Sequence, residues 1–376
     1  MASTSTPRRI LDSHIHLWPA TSANEDGHTW MTPSAPLTRP YLLSDYLSAT
    51  STSPAPVVGA VFIETDRRLT PVPQTTNNND DEKSTLTRCA GPLDEIAWLR
   101  SLLETDNTAQ GLLWALVPWA PFDAPPAAFR AYLAAAQRAA GPAAWARVRG
   151  WRYLVQGIGD EAAFAELVGS VGWVENLREC GRRGWVFDVG VDARSAGVWQ
   201  VELVTDMVER VRREEGEGEE GGRVTFVLNH LCKPDMLQPP TATPAHHDAF
   251  ARWSACLHRL AALPAVYMKL SGGFSEMPQQ DASAPLPADQ VLARMKPWLD
   301  VAMRCFADPP RLMFGSDWPV CNVRGPGERR AWRAWVDAVR GVDEAYALSD
   351  EQSDALWFGT AVEAYGLVGP NDSREK

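Results

Sequence analysis

Eight short apolar runs recur along the chain, at residues 9–14 (RILDSH), 57–63 (VVGAVFI), 111–117 (GLLWALV), 147–155 (RVRGWRYLV), 184–191 (GWVFDVGV), 223–229 (RVTFVLN), 265–271 (AVYMKLS) and 311–316 (RLMFGS). Short runs without alternation are the pattern of parallel strands buried on both faces. Stretches of helical character lie between most of them, at 93–104, 126–140, 160–180, 196–213, 247–263, 289–306 and 327–340, with a further amphipathic segment at 349–366. Strands alternating with helices predict a parallel α/β architecture. No composition break separates the halves and no internal repeat is visible. The pattern therefore predicts one closed (β/α)8 TIM barrel with loop insertions, a single domain over residues 1–376 with its core at about 8–368. A doubly wound nucleotide fold would need a glycine-rich turn after the first strand, where this chain has His14-Ile15-His16-Leu17-Trp18.

Four stretches interrupt the pattern. Residues 66–90 are polar and low in complexity, and 214–222 (EEGEGEEGG) form an acidic, glycine-rich run expected at a solvated tip. Residues 234–248 and 275–288 are proline-rich connections after the sixth and seventh strands, expected to border the mouth of the barrel.

Charge narrows the choice of partner. A net charge of −11 argues against nucleic acid, which needs a basic face. Six scattered cysteines without a CxxC pair read as reduced, mostly buried thiols of a cytoplasmic protein. No apolar signal core opens the chain and no apolar run is long enough to span a membrane, so a small-molecule substrate is expected. Oligomeric state is not encoded in these features.

Candidate chemistry gathers at strand ends. His14 and His16 close the first strand two residues apart, and that spacing turns both imidazoles to one side. His230 ends the sixth strand (VLNHLCKP) and Asp317 the eighth (MFGSDWPV). In a barrel these ends meet at one rim, where imidazoles and a carboxylate suit a divalent metal or an oxyanion. The bland alternative makes His230 a satisfied core histidine and Asp317 a helix cap. Arg152 and Arg149 on the fourth strand are candidates to bind a carboxylate or polarise a carbonyl, with Arg152 nearer the catalytic end. Glu64 at the end of strand two and Lys269 on strand seven are candidate substrate or supporting groups, Lys269 alternatively a partner of Asp317. Trp18, Trp30, Trp119, Trp151 and Trp318 fall at or just past strand ends, where indole faces can stack on a sugar ring or simply pack. His28 is placed to reach the mouth, and His246 and His247 to face solvent.

The segments ILDSHIHLW, HLCKP, KLSG and MFGSDWPV together resemble the amidohydrolase superfamily, in its amidohydrolase-related lactonase and decarboxylase branch. The resemblance runs from Ile10 to about Leu367, and DSHIHLWP…GHTWM with VFIETDRR resembles the fungal and bacterial sugar-lactonase group, which opens aldonolactones. It implies a barrel with its site at the C-terminal rim and a hydrolase acting on a cyclic ester. Binuclear members carry a bridging lysine after strand four and a histidine after strand five. Here no lysine lies between Lys83 and Lys233, and no histidine between His28 and His230, which excludes that two-metal centre. One divalent metal, zinc suiting the donors best, held by some of His14, His16, His230 and Asp317, agrees with this inventory; so does a metal-free site.

The expected reaction is opening of a sugar-acid lactone by water. Asp317 acts as general base and passes its proton to the leaving hydroxyl, His230 orients the water, and His14, His16 and Arg152 stabilise the oxyanion. Glu64, Arg149, Lys269, Trp18 and Trp318 are the expected substrate contacts. The rival readings are a metal-dependent decarboxylase of an aromatic or unsaturated acid on the same barrel, and a barrel that binds a metabolite without turnover.

Overall fold

Each of the eight apolar runs corresponds to one strand, the first extended by one residue to Ile15: β1 Ile10–Ile15, β2 Val57–Ile63, β3 Leu113–Val117, β4 Gly150–Arg152, β5 Val186–Val189, β6 Thr225–Leu228, β7 Val266–Leu270 and β8 Leu312–Phe314. The computed structural model describes residues 7–72, 82–215 and 222–367. All pairings are parallel, in the orders β1-β2-β3 and β4-β5-β6-β7-β8. Backbone hydrogen bonds join the two sheets at both seams. Leu116 N donates to Arg147 O and Arg152 N to Pro118 O, at 2.8 and 2.9 Å, between β3 and β4. Asp317 N donates to His14 O and His16 N to Trp318 O, at 2.9 and 2.8 Å, where β8 returns to β1. The strand order is cyclic, and the architecture is the (β/α)8 barrel.

Inside the ring, Leu11, Val61, Ile63, Ala115, Val117, Val186, Val227, Tyr267 and Met313 pack together with Ala361, Ala364 and Tyr365. Burial of each large aliphatic side chain contributes roughly 1.5–3 kcal/mol. The C-terminal segment thus plugs the barrel, and Tyr267 Oη donates to Glu363 there at 2.7 Å. A second, larger apolar layer lies between the strands and the surrounding helices and includes Trp151, Trp173, Trp253, Trp332 and Trp335. All six cysteines are free and buried. Among the described residues no helix is long and apolar enough to cross a membrane.

Several boundaries differ from the sequence expectation. The run at 147–155 yields a strand of only three residues, although Arg149 N still donates to Leu116 O of β3 at 3.0 Å. The polar stretch 66–90 is not all loop: Glu82–Arg88 forms a helix, with acid in the first turn and Arg88 in the last, as the helix dipole favours. The stretch 160–180 is two helices, Glu161–Gly169 and Val171–Arg182, divided where the Ser170 hydroxyl accepts from Trp173 N as an N-cap. Segment 349–366 holds one continuous helical stretch, Asp350 to Ala364, whose middle turn at Ala355–Gly359 is a π-helix. Of the acidic run 214–222, residues 216–221 lie outside the described residues.

Candidate active site

On β1 the inward-facing parity changes at a register shift between Asp12 and Ile15, so that Leu11 points into the barrel and His14 and His16 do as well. Asp12 pins this bulge: its carboxylate accepts from Ser316 N at 2.7 Å, Tyr46 Oη at 2.9 Å and Trp332 Nε1 at 3.2 Å. The His14 and His16 Nε2 atoms then lie 3.1 Å apart. Asp317 Oδ1 sits 3.5 Å from His14 Nε2, 3.4 Å from His16 Nε2 and 3.7 Å from His230 Nε2. Three imidazoles from two strands converge on one carboxylate oxygen from a third.

His230 reaches this point through an uncommon turn. His230, Leu231, Cys232 and Lys233 all have left-handed backbone, with φ of 54, 53, 62 and 47°. Each such non-glycine residue costs roughly 1–2 kcal/mol. Tertiary bonds hold the turn: Trp253 Nε1 donates to Leu231 O, Ala193 N to Cys232 O and Arg194 N to Lys233 O. Gly272 is required opposite it, since a Cβ there would meet His230 Nδ1 at 2.7 Å and Asp317 Oδ2 at 3.0 Å.

The far ring nitrogens define the tautomers. His16 Nδ1 lies 2.9 Å from Ile63 O, an acceptor only, so Nδ1 carries the proton and Nε2 presents a lone pair to the centre. His230 Nδ1 pairs with Ser271 Oγ at 2.7 Å. His14 is the reverse: its Nδ1 faces Lys269 Nζ at 3.1 Å, and an ammonium only donates, so His14 Nε2 carries the proton. Lys269 is held in turn by Asp188 Oδ1 at 2.6 Å, and Asp188 Oδ2 accepts from Tyr365 Oη at 2.6 Å. A buried line Tyr365–Asp188–Lys269–His14 therefore connects the barrel plug to the site.

Burial, and then the Lys269 charge, hold His14 well below the usual imidazole range. Burial pushes His230 down to about 3 against the pull of Asp317. Lys269 falls to about 8 by burial, opposed by Asp188. Burial would raise Asp317, but the surrounding His230 and His16 outweigh it and hold the carboxyl below its ordinary value. At neutral pH the centre holds a carboxylate beside the neutral imidazoles of His14 and His230.

A cavity of about 260 Å³ opens onto this centre. Trp18, Trp30, Leu37, Leu154 and Val320 form its apolar lining; His16, Thr65, Asp66, Arg152, Gln156, His230, Lys233 and Asp317 form the polar part. Arg152 is fixed from behind, its Nε donating to Glu64 Oε1 at 2.5 Å and Nη2 to Glu64 O at 2.9 Å. A separate, mostly apolar cavity of about 180 Å³ is lined by Phe250, Trp253 and Trp298, and by the Asp235–His246 pair.

The structure thus brings together His14, His16, His230, Asp317, Arg152 and Trp18. Glu64 stands behind Arg152, fully buried, rather than on the cavity. Lys269 is likewise buried, partnered by Asp188 and His14 rather than by Asp317 or the cavity. Arg149 does not reach the site: it precedes β4, and its guanidinium bonds the Ala146 and Val148 carbonyls. Trp318 packs against Tyr41 and Tyr46, 1 % exposed, because Asp317 and not its neighbour turns into the mouth. Trp30 joins the lining, whereas Trp119 and Trp151 belong to the outer core. His28 is a buried prop, bonded to Ser22 O and Thr65 Oγ1. His247 is exposed, while His246 is only partly so and faces Asp235. Asp66, Lys233, Thr65 and Gln156 line the cavity without having been singled out from sequence. For Asp66 the available signal was a second acid just past strand two, in VFIETD.

The donors fit one divalent ion. The ligand atoms of His14, His230 and Asp317 lie within 4.8 Å of one another. Distance favours His14 as the first-strand ligand, whereas hydrogen bonding leaves the open lone pair on His16. Either choice gives three protein donors, with the cavity for a further ligand.

The amidohydrolase family model matches residues 11–367. The L-rhamnono-gamma-lactonase of Scheffersomyces stipitis is 26% identical over 373 residues, covering 96% of this chain and 99% of that protein. The L-fucono-1,5-lactonase of Burkholderia multivorans is 33% identical over 250 residues, 64% of this chain and 71% of that one. The solved structure of an amidohydrolase from Burkholderia multivorans with bound zinc superposes with a TM-score of 0.65 at 26% identity, covering 96% of this chain and 99% of that one.

Proposed function

The chain belongs to the amidohydrolase family, and on that premise we propose that it hydrolyses a sugar-acid lactone in the cytoplasm, with one barrel domain as the whole catalytic unit. The observation that carries this reading is the convergence of three imidazoles on Asp317 Oδ1 at the floor of a cavity with an aromatic wall. Such a wall suits the C–H face of a sugar ring, and the polar part opposite suits its hydroxyls. The sugar-lactone specificities in the names of two relatives support it.

Asp317 takes a proton from the attacking water, as an ionised carboxylate can. His230 positions that water. The Nε2–H of His14 and the Arg152 guanidinium, fixed before substrate arrives, stabilise the oxyanion of the tetrahedral intermediate. A divalent ion, zinc by analogy with the solved neighbour, would be held by His230, Asp317 and one of the first-strand pair, and would polarise the carbonyl and acidify bound water.

Metal analysis of the purified protein, joined to a pH-indicator screen over aldonolactones with and without chelator, tests the reading. Turnover of at least one aldonolactone is expected. Carbon dioxide release from an aromatic acid in place of it would favour a decarboxylase, and saturable binding without turnover a silent barrel.

A further inference from the structure

Breaking the acyl–oxygen bond of a lactone expels an alkoxide, which needs a proton as it leaves. The imidazoles are not placed to give one freely: His14 Nε2–H faces His16 Nε2 at 3.1 Å, His16 Nδ1–H is engaged by Ile63 O, and His230 Nδ1 by Ser271. Asp66, just beyond β2, is a better source. It lines the same cavity as Asp317, His230 and Lys233. Among the described residues its carboxyl forms no hydrogen bond or ion pair, although the backbone around it is tightly fixed. Asp66 N donates to Glu64 Oε2 at 2.5 Å, Thr65 N to Glu95 Oε1 at 3.2 Å and Arg68 N to Gly27 O at 2.8 Å.

Asp66 also shares a backbone feature with His230 and Asp317. Its φ is 58°, and the other cavity-lining residues with left-handed backbone are His230, Lys233 and Asp317. Strain of this kind at a non-glycine residue persists only where the surroundings over-determine it, and it gathers at functional sites.

We infer that Asp66 is the catalytic acid that protonates the leaving ring oxygen, an assignment that rests on the lactonase reading above. As water bonds to the carbonyl carbon, Asp317 takes one of its protons and the carbonyl electron pair moves onto oxygen. When the intermediate collapses, the carbon–ring-oxygen bond breaks, its electron pair stays on the ring oxygen, and the Asp66 proton joins it. Asp66 is left as carboxylate and Asp317 as acid, and proton exchange with solvent at the mouth restores both. The sum is lactone plus water to hydroxy acid.

The electrostatics agree with the geometry. Burial and the Glu64 carboxylate push Asp66 up to about 7, partly offset by Arg152. His16, His230, Lys233 and Asp317 are the other charged or titratable groups on the cavity, while Glu95 and Arg67 lie behind the loop. Asp317 is shifted the opposite way. Two carboxyls driven apart in one site are the signature of an acid–base pair.

The test is Asp66→Asn, with kcat and KM measured from about pH 5 to 9 on the aldonolactone that wild type hydrolyses fastest. The expected result is a fall in kcat of about 100-fold or more with KM within a few-fold, and loss of the alkaline limb near pH 7. Asp66→Glu should recover part of the rate. Unchanged kcat, or an effect confined to KM, overturns the assignment. A second measurement needs no substrate: the infrared difference between wild type and Asp66→Asn should show a carboxylic-acid band near neutral pH that vanishes in alkali. An Asp66 that titrates near the ordinary value of about 4 overturns the assignment whatever the substrate. If the band titrates near neutrality but no lactone is hydrolysed, the lactonase reading falls and the neutral acid in the cavity stands.

Discussion

Lys269 approaches His14 to 3.1 Å at Nδ1, and this contact decides which nitrogen of His14 holds the proton. The cation is itself fixed by Asp188, so the tautomer is set by two buried residues that never touch the cavity.

Lys269→Met should release that constraint. Nitrogen NMR of wild type is expected to show the Nε2–H tautomer of His14, and the variant a mixture with the other form. Activity should fall about 10–100-fold, the usual effect of removing a group that orients a functional imidazole. A wild-type spectrum of the Nδ1–H form would refute the argument.

Asp317→Asn offers a clean test of the base. Asp317 has φ 59°, and asparagine is among the few residues that accept left-handed backbone. The fold should therefore survive, with a urea midpoint close to wild type, while kcat falls by about 100-fold or more. Near-normal turnover would remove Asp317 from the chemistry.

Arg152 and Glu64 form a buried pair in which only the arginine reaches the cavity. Arg152→Met should cost about 3–5 kcal/mol in denaturant unfolding, because it strands the Glu64 charge. Adding Glu64→Gln should restore much of the stability but none of the lost rate. Recovery of both would make the pair purely architectural.

Glu95 links stability to pH. Burial, then the Glu64 charge, raises it to about 8, and its Oε2 is buried without a partner. An acid whose folded value is raised binds more protons folded than unfolded between about 4.5 and 8, so its contribution to stability declines as pH rises through that window. Glu95→Gln lacks this loss. Its stability relative to wild type should therefore increase from pH 5 to 8, by up to about 1.4 kcal/mol per unit. A pH-independent difference would contradict the raised value.

Much of this arrangement could be read from the chain because its strands are buried on both faces, which leaves uninterrupted apolar runs. The run at 57–63 became a strand with the same limits, and His14, His16, His230 and Asp317 stood where those runs end. What escaped depended on backbone direction rather than residue type. Trp318 was expected at the mouth, but the left-handed Asp317 before it sends the two side chains to different places. Arg149 stood as a second candidate beside the favoured Arg152 until the strand proved to begin at Gly150. Lys269 was visible as a charge in an apolar run, yet its partner Asp188 lies on another strand, and nothing local announces that pairing. The helix Glu82–Arg88 was hidden by the polar, turn-forming sequence before it.

The four-residue left-handed turn at His230 gives the outer layer an indirect hold on the chemistry. The conformation is unfavourable on its own, and one of its clamps is the indole of Trp253, on the helix Pro244–Ala261. A lesion at Trp253 would leave every strand in register while letting His230 drift from its place. Its symptom would be a folded protein that no longer turns over, so a change well outside the mouth would masquerade as a catalytic defect.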